Sequence, residues 1–310
     1  PKDITSVMRE KRIQFMIVVP AFLKLLKAGI EKEINNSPEY IGKIFNFLYT
    51  LSEYIPFYCI RKMLFWKIHK SMGGKFFGCI SGGAPLDTEV GKFFETIGIK
   101  VYQGYGLSEA SPVVSVNTDK RKELASVGRP LRHFEAKTDE QTGELLLRGP
   151  SVMKGYHNQP DMTAEIIDEQ GWLHTGDIAT IDKDGHLFIT GRIKNMIVLQ
   201  GGKKVFPEEV EAILEKSNYI AEVCVLGISR TFGSKEDTEE VTAIVVPKID
   251  LYNSYSDDDI EKMIKLDIKS LSTRLAQYKR PTNIIISKNE LPKTTTRKVK
   301  RKELKELIKI

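Results

Sequence analysis

Four stretches, in order along the chain, carry residue types that could do chemistry: QGYGLSEASP from Gln103, GWLHTGD from Gly171, GRIKNMIVLQGGKKVFPEEVE from Gly191 and LPKTTTRK from Leu291. They supply an aromatic ring beside a carboxylate, a second carboxylate, an arginine, a glycine pair and a late lysine. Those are the parts needed to hold a nucleotide by its base, ribose and phosphate and to bring a cation to a carboxyl group. Tyr105 can offer a ring face, and Gly104 and Gly106 let the main chain come close to a flat ligand. Glu109 is a carboxylate of the kind magnesium takes one or two of, alongside substrate phosphates and water. Each stretch alone also has a plainer reading. Glycines around a tyrosine make an ordinary turn, an Asp after Gly caps one, Arg192 can pair with Asp184, and Lys298 can belong to a basic face.

These residues need an edge to stand on. VVPAFLKLLKAGIEKEI reads as a strand end followed by an amphipathic helix with Pro20 in its first turn. FFGCISGGAPL reads as a short buried strand running into the Gly82-Gly83 turn. The next helix is capped near Asp87 and carries Val90, Phe93, Phe94 and Ile97 on one side. IKVYQGYG is a second strand. Strand, helix and strand in this order belong to an α/β sheet, whose ligands sit beyond the carboxyl ends of the strands.

From Ser126 to Thr190 short strands alternate with Gly, Pro and Asp turns, as in a small β-barrel or sheet. After Gly191 the pattern shifts again. Pro207 opens a helix with Glu208, Glu209 and Glu211 in its first turns, the strands EVCVLGI and EVTAIVVP follow, and a long helix starts near Asp257. The expected division is therefore 1–192, with a β-rich 126–190, and 193–310, a compact α+β unit, joined by a tight connection at Arg192 to Asn195.

The chain has 310 residues, enough for two domains, and its 41% hydrophobic and 28% charged content is ordinary for a globular protein. Its net charge of +6 comes largely from basic residues crowded between Lys293 and Lys309. A solvated helix face and a funnel for polyphosphate ligands both account for that run. Nucleic acid is not expected, because no aromatic residue interleaves with it as a stacking platform. Cys59, Cys79 and Cys224 have no metal-ligand spacing, which favours reduced thiols in the cytoplasm. Between Tyr40 and Phe65, charges interrupt an apolar stretch too often for a membrane span. Ile41, Ile44, Phe45 and Leu48 recur there at helical spacing, so core or domain packing is expected. Peripheral contact at the inner face of a membrane stays open.

In this order and with these spacings, the motifs resemble the adenylate-forming (AMP-binding) ligases, most nearly the bacterial long-chain fatty-acid–CoA ligases. The resemblance implies an α/β fold: a partial large adenylation domain (an α/β sheet plus a small β-barrel), then a compact, mobile α+β C-terminal domain. It implies that a fatty acid is activated with ATP and Mg2+ to an acyl-adenylate and passed to coenzyme A. By the same resemblance Gly83, Ala84 and Pro85, with Gly104, Tyr105 and Gly106, line the adenine. Ser108 hydrogen-bonds the α-phosphate, Glu109 holds the metal, and Asp177 and Arg192 take the ribose. Lys194 is the hinge, and Gly201-Gly202 lines the coenzyme A pantetheine tunnel. Lys298 delivers an ammonium to the phosphoryl oxygens, where charge gathers as the carboxylate attacks. The chain departs from the pattern at Arg297, where most relatives have glycine.

Relatives also carry a Ser/Thr/Gly-rich phosphate loop, and none is found upstream of Gln103. The expectation is therefore a fragment that lacks the N-terminal part of its large domain, binds AMP-like ligands weakly and does not turn over. Two rivals stay open: a ligase for aryl or short-chain acids, and a non-catalytic interaction module using the basic C-terminal face.

Overall fold

Short β-branched runs punctuated by glycine and proline build the first sheet. The computed structural model describes residues 2–119, 123–229, 239–294 and 298–308. After α1 (Lys2–Glu10) comes β1 (Phe15–Val18), and Pro20 then opens α2 (Pro20–Asn35) at its first turn, where its missing N–H costs nothing. Three helices follow, α3 (Glu39–Glu53), α4 (Tyr58–Leu64) and α5 (Trp66–Ser71), before β2 (Gly78–Ser81). The side chain of Asp87 accepts from Glu89 N at 2.8 Å and caps α6 (Thr88–Thr96). The helix stops at Gly98, whose φ of +84° favours glycine and whose Cβ, if present, would lie 2.7 Å from Lys62 N. β3 (Lys100–Gly106) then lies parallel to β2, which lies parallel to β1. β4 (Val113–Val116) and β5 (Arg129–Pro130) complete the order β1-β2-β3-β4-β5 as antiparallel additions.

Phe76, Phe94, Ile97, Ile99 and Val101 are fully buried under this sheet with Leu23 of α2. Burying one such side chain contributes roughly 1.5–3 kcal/mol, so this cluster decides where the sheet edge stands. On α3, Phe45, Leu48 and Tyr49 pack against the cluster. Ile44, expected to do the same, is 51% exposed. It lies one position, about 100°, round the helix from Phe45. The face it shares with Phe47 and Leu51 is turned away from that core.

β6 (Glu135–Thr138), β7 (Glu144–Arg148), β8 (Leu173–Ile181) and β9 (Leu187–Arg192) form a four-stranded sheet in that order, with α7 (Pro160–Ile166) between β7 and β8. Leu145, Leu147, Leu173 and Leu187 are its buried centre.

By compactness the chain divides into one unit of residues 1–175 and 179–189 and another of 176–178 and 190–310. In the second, the hairpin β10 (Ile197–Val198) and β11 (Lys204–Val205) leads into α8 (Pro207–Leu214). β12 (Ile220–Ser229) and β13 (Glu239–Pro247) are antiparallel, and β14 (Asn283–Ile286) joins β13 in parallel. α9 (Asp257–Leu271) lies between β13 and β14 in sequence, and α10 (Arg301–Ile308) closes the described chain. Both faces of β12-β13 are covered. Val225, Ala243 and Val245 meet Val210, Ile260 and Ile264, while Cys224, Leu226 and Ile244 meet Leu291 and Leu304. That double covering explains why these strands read as continuous apolar runs rather than alternating ones.

Candidate functional site

In the first unit, the loops after β2 and β3 start side by side, because Ser81 and Gln103 are register partners. Gly82 N donates to Val18 O at 3.1 Å, and a Cβ at Gly82 would come 3.3 Å from Gly104 O. The GGAP and GYG segments are thus brought together at the carboxyl ends of parallel strands. Gly83 has φ +82°, and Ala84 and Pro85 are exposed on the same loop. At Gly106 a Cβ would fall 1.8 Å from Pro112 O, so no other residue fits. Gln103, buried on β3, accepts from Leu86 N at 3.3 Å and donates to Leu124 O, tying the loop after β2 to the β4–β5 connection. Tyr105 is half-buried and packs against the cluster containing Ala110 and Val114.

Ser108 and Glu109 stand on a 3-10 turn, Ser108–Ala110, with Ser108 exposed and Glu109 half-buried. Glu109 Oε1 accepts from the Tyr156 hydroxyl at 3.0 Å, and Glu109 O accepts from Met153 N at 2.7 Å. The hydrogen bond to Glu109, then burial, hold the Tyr156 phenol above its ordinary pKa, so it remains a donor. Tyr156 went unnoticed in the sequence, where it stands 47 residues from Glu109 with no spacing rule to join them. Among the described residues no group of three or more His, Cys, Asp or Glu side chains gathers to hold a metal. Glu109, with one oxygen already accepting, therefore fits Mg2+ only as a single protein ligand beside phosphate oxygens and water.

In the second unit, Gly176 of the TGD segment has φ +69° inside β8, a conformation that favours glycine. Next to it Asp177 is 3% exposed, and its Oδ1 accepts from Arg192 Nε at 2.7 Å. Asp184, the other acid considered for Arg192, instead lies 3.9 Å from Arg129. Beside Asp177, Trp172 is buried under the Lys137 and Arg148 cations, and His174 Nδ1 lies 3.0 Å from Glu144. Trp172 is thus a packing residue, whereas His174 stays partly exposed. Lys194 is exposed on a 3-10 turn, Ile193–Asn195. Gly201 and Gly202, at φ +82° and +74°, form the exposed turn between β10 and β11.

Lys298 is exposed at the end of a narrow loop. Its N–H donates to Thr294 Oγ1 at 3.1 Å, and its carbonyl accepts from Thr294 N at 2.8 Å. Lys293 and Val299 form the bridge beneath it. Arg297 lies outside the described residues. The basic run that contains Lys298 is not one uniform face. Lys293 pairs with Glu222, Arg301 with Glu211 and Lys305 with Glu239, all partly buried.

The architecture is α/β, with a largely parallel sheet edge bearing two glycine loops and a separate α+β unit bearing a buried Asp177 paired with Arg192 and an exposed lysine. A family model described as AMP-binding enzyme matches residues 1–157, and one described as AMP-binding enzyme C-terminal domain matches residues 209–298. The chain belongs to the AMP-binding enzyme family. It is 38% identical over 244 residues to a long-chain-fatty-acid–CoA ligase of Bacillus subtilis, covering 74% of this chain and 40% of that protein. It is 33% identical over 293 residues to one of Salmonella typhimurium, covering 90% and 47%. Among solved structures, ATP-bound MatB from Rhodopseudomonas palustris superposes with a TM-score of 0.72 at 25% identity, covering 100% of this chain and 53% of that one. The chain thus spans less than half the length of the curated relatives it matches.

Proposed function

We propose that this chain carries the nucleotide-binding edge and the mobile small domain of an AMP-forming fatty-acid–CoA ligase. The observation that carries the reading is the buried Asp177 carboxylate paired with the exposed Arg192, in a chain with ligases among its relatives. Asp177 accepts from the two ribose hydroxyls, and Arg192 holds its carboxylate in place. Tyr105 and the 82–85 loop receive the adenine. Ser108 donates to the α-phosphate, while Tyr156 orients Glu109 toward the ion on the phosphates. Magnesium, when bound, neutralises phosphate charge. Lys298 then offers its ammonium to the phosphoryl oxygens as the fatty-acid carboxylate attacks the α-phosphorus and pyrophosphate leaves, which is the electrostatic help such a step needs. The thiol of coenzyme A takes the acyl group after the small domain turns at Lys194, with Gly201-Gly202 lining its path.

The β- and γ-phosphates need backbone amides that no segment of these 310 residues offers as a glycine-rich loop. The reading is accordingly that this polypeptide binds AMP weakly and does not turn over, in a cytoplasmic setting. Fatty-acid-dependent ATP–pyrophosphate exchange tests it: absence of exchange with measurable AMP binding is expected, and robust exchange overturns the non-turnover part. A thermal-shift series of non-hydrolysable acyl-adenylates should rise with acyl length. A maximum at aryl or short-chain analogues would shift the substrate class, and no response to any of them would overturn the ligase reading.

A further inference from the structure

Three residues past the exposed Lys298, the Arg301 guanidinium is enclosed, its side chain 21% exposed. Nη2 donates to Glu211 Oε2 at 2.7 Å and lies 3.6 Å from Glu208 Oε1. Nη1 donates to Val225 O at 2.7 Å. Glu211 in turn accepts from Val225 N at 2.7 Å, so the cation is locked between α8 and β12. The other end of the loop is tied as well. Lys293 pairs with Glu222 of β12, whose second oxygen accepts from Leu291 N at 3.1 Å. Between these anchors Thr294 N donates to Lys298 O and Lys300 N to Pro292 O, each at 2.8 Å. The position of Lys298 is thereby set by its neighbours' buried contacts rather than by its own side chain.

Glu208 has a second attachment. Its Oε1 also accepts from Asn195 Nδ2 at 2.7 Å, in the turn that holds Lys194. Its Oε2 is buried and has no hydrogen-bond partner among the described residues. A Cβ at Gly191 would come 3.0 Å from Phe206 and 3.1 Å from that oxygen, so the bare chain just before Arg192 leaves room for both side chains. An unsatisfied buried carboxylate oxygen is unfavourable, and a purely structural acid would be better off facing water. Here one oxygen faces donors on two separate segments, close to Asn195 and further from Arg301. If the 193–195 turn moves, Asn195 leaves Oε1, and the carboxylate is released to close on Arg301.

We propose that Glu208 couples the Ile193–Asn195 turn to the Lys298 loop, making Glu208 and Arg301 positioning residues for Lys298. This deepens the ligase reading for what Lys298 does, but the linkage itself is a property of the second unit alone. It is tested on the 310-residue chain by amide hydrogen exchange, comparing N195A, E208Q, R301K and the N195A/E208Q double variant. N195A, which frees Glu208 to close on Arg301, is expected to lower exchange at Thr294, Lys298 and Lys300 by about tenfold, the size of one charge-assisted hydrogen bond, with β12, β13 and α9 unchanged. R301K, which loosens the anchor, is expected to raise it by a similar factor. In the E208Q background the added effect of N195A should vanish, since two changes on one path do not add. Unchanged or faster loop exchange in N195A overturns the coupling, as does a change shared by the whole unit or an N195A effect that persists undiminished with E208Q. No nucleotide enters the experiment, so failure of AMP binding would count against the proposed function and leave this result standing.

Discussion

Asp177 and Lys298, which the proposed function assigns to one ligand, are held in opposite ways. Asp177 is 3% exposed and carries its compensating cation against it. Lys298 is exposed, and the buried cation of its loop is Arg301 instead. A buried carboxylate has to be paired, because an unpaired one would shift its pKa and neutralise. That pairing also fixes its direction, which suits a group that binds. A lysine meant to reach a phosphoryl oxygen cannot be paired in advance without losing that reach. Its precision has to come from the residues on either side.

The sharpest way to break this contrast uses thiols as reporters. Burial pushes the Cys224 thiol beside Arg301 up to about 12, so at pH 8 it stays protonated, and labelling should accelerate only as pH approaches that value. Cys59 is exposed. Alkylation followed by mass spectrometry should find Cys59 modified on the order of a thousandfold faster, and equal rates would mean the Arg301 anchor opens freely. Next, Arg301→Met should cost about 3–5 kcal/mol in urea unfolding of the second unit, because Glu211 is left buried without its cation. Lys298→Met should stay within about 0.5 kcal/mol, as an exposed position does. A similar loss in both would erase the distinction between anchor and display.

Asp177→Asn is expected to weaken AMP binding by about tenfold to a hundredfold in calorimetry, the range for a lost charge-assisted hydrogen bond. Lys298→Met should change AMP affinity by less than about twofold, its work being reserved for the phosphoryl step. The smallest effects concern the elements beneath the sites. Asp87 and Ser256 cap α6 and α9 with their side chains. Replacing either by Ala should cost about 1 kcal/mol of stability, read from denaturant midpoints at constant slope.

Much of the scaffold was legible because its signals are local. Pro20 and Pro207 open α2 and α8, Asp87 caps α6, and Val90, Phe93 and Phe94 mark its buried face. Helix phase was less secure: Ile44 fits the same 3.6-residue pattern as Phe45, yet only the packing of α3 shows which of them faces the core. The basic run was misleading in another way. Sequence shows that Lys293, Arg301 and Lys305 are cations but not that each meets a carboxylate on a distant element. Arg301 and Glu211 are 90 residues apart, and no periodicity connects them.

The order of the motifs, the glycines that allow Gly106 and Gly176 their backbone paths, and the supply of carboxylates and cations were all determined by the amino-acid sequence. They follow from side-chain chemistry and from torsions within a few residues. Only the tertiary structure decided that Arg192 belongs to Asp177 rather than Asp184, that Tyr156 holds Glu109, and that Glu208 stands between Asn195 and Arg301. Hydrogen bonds reach about 3 Å, and which groups come that close depends on how separate elements pack, which no local pattern encodes.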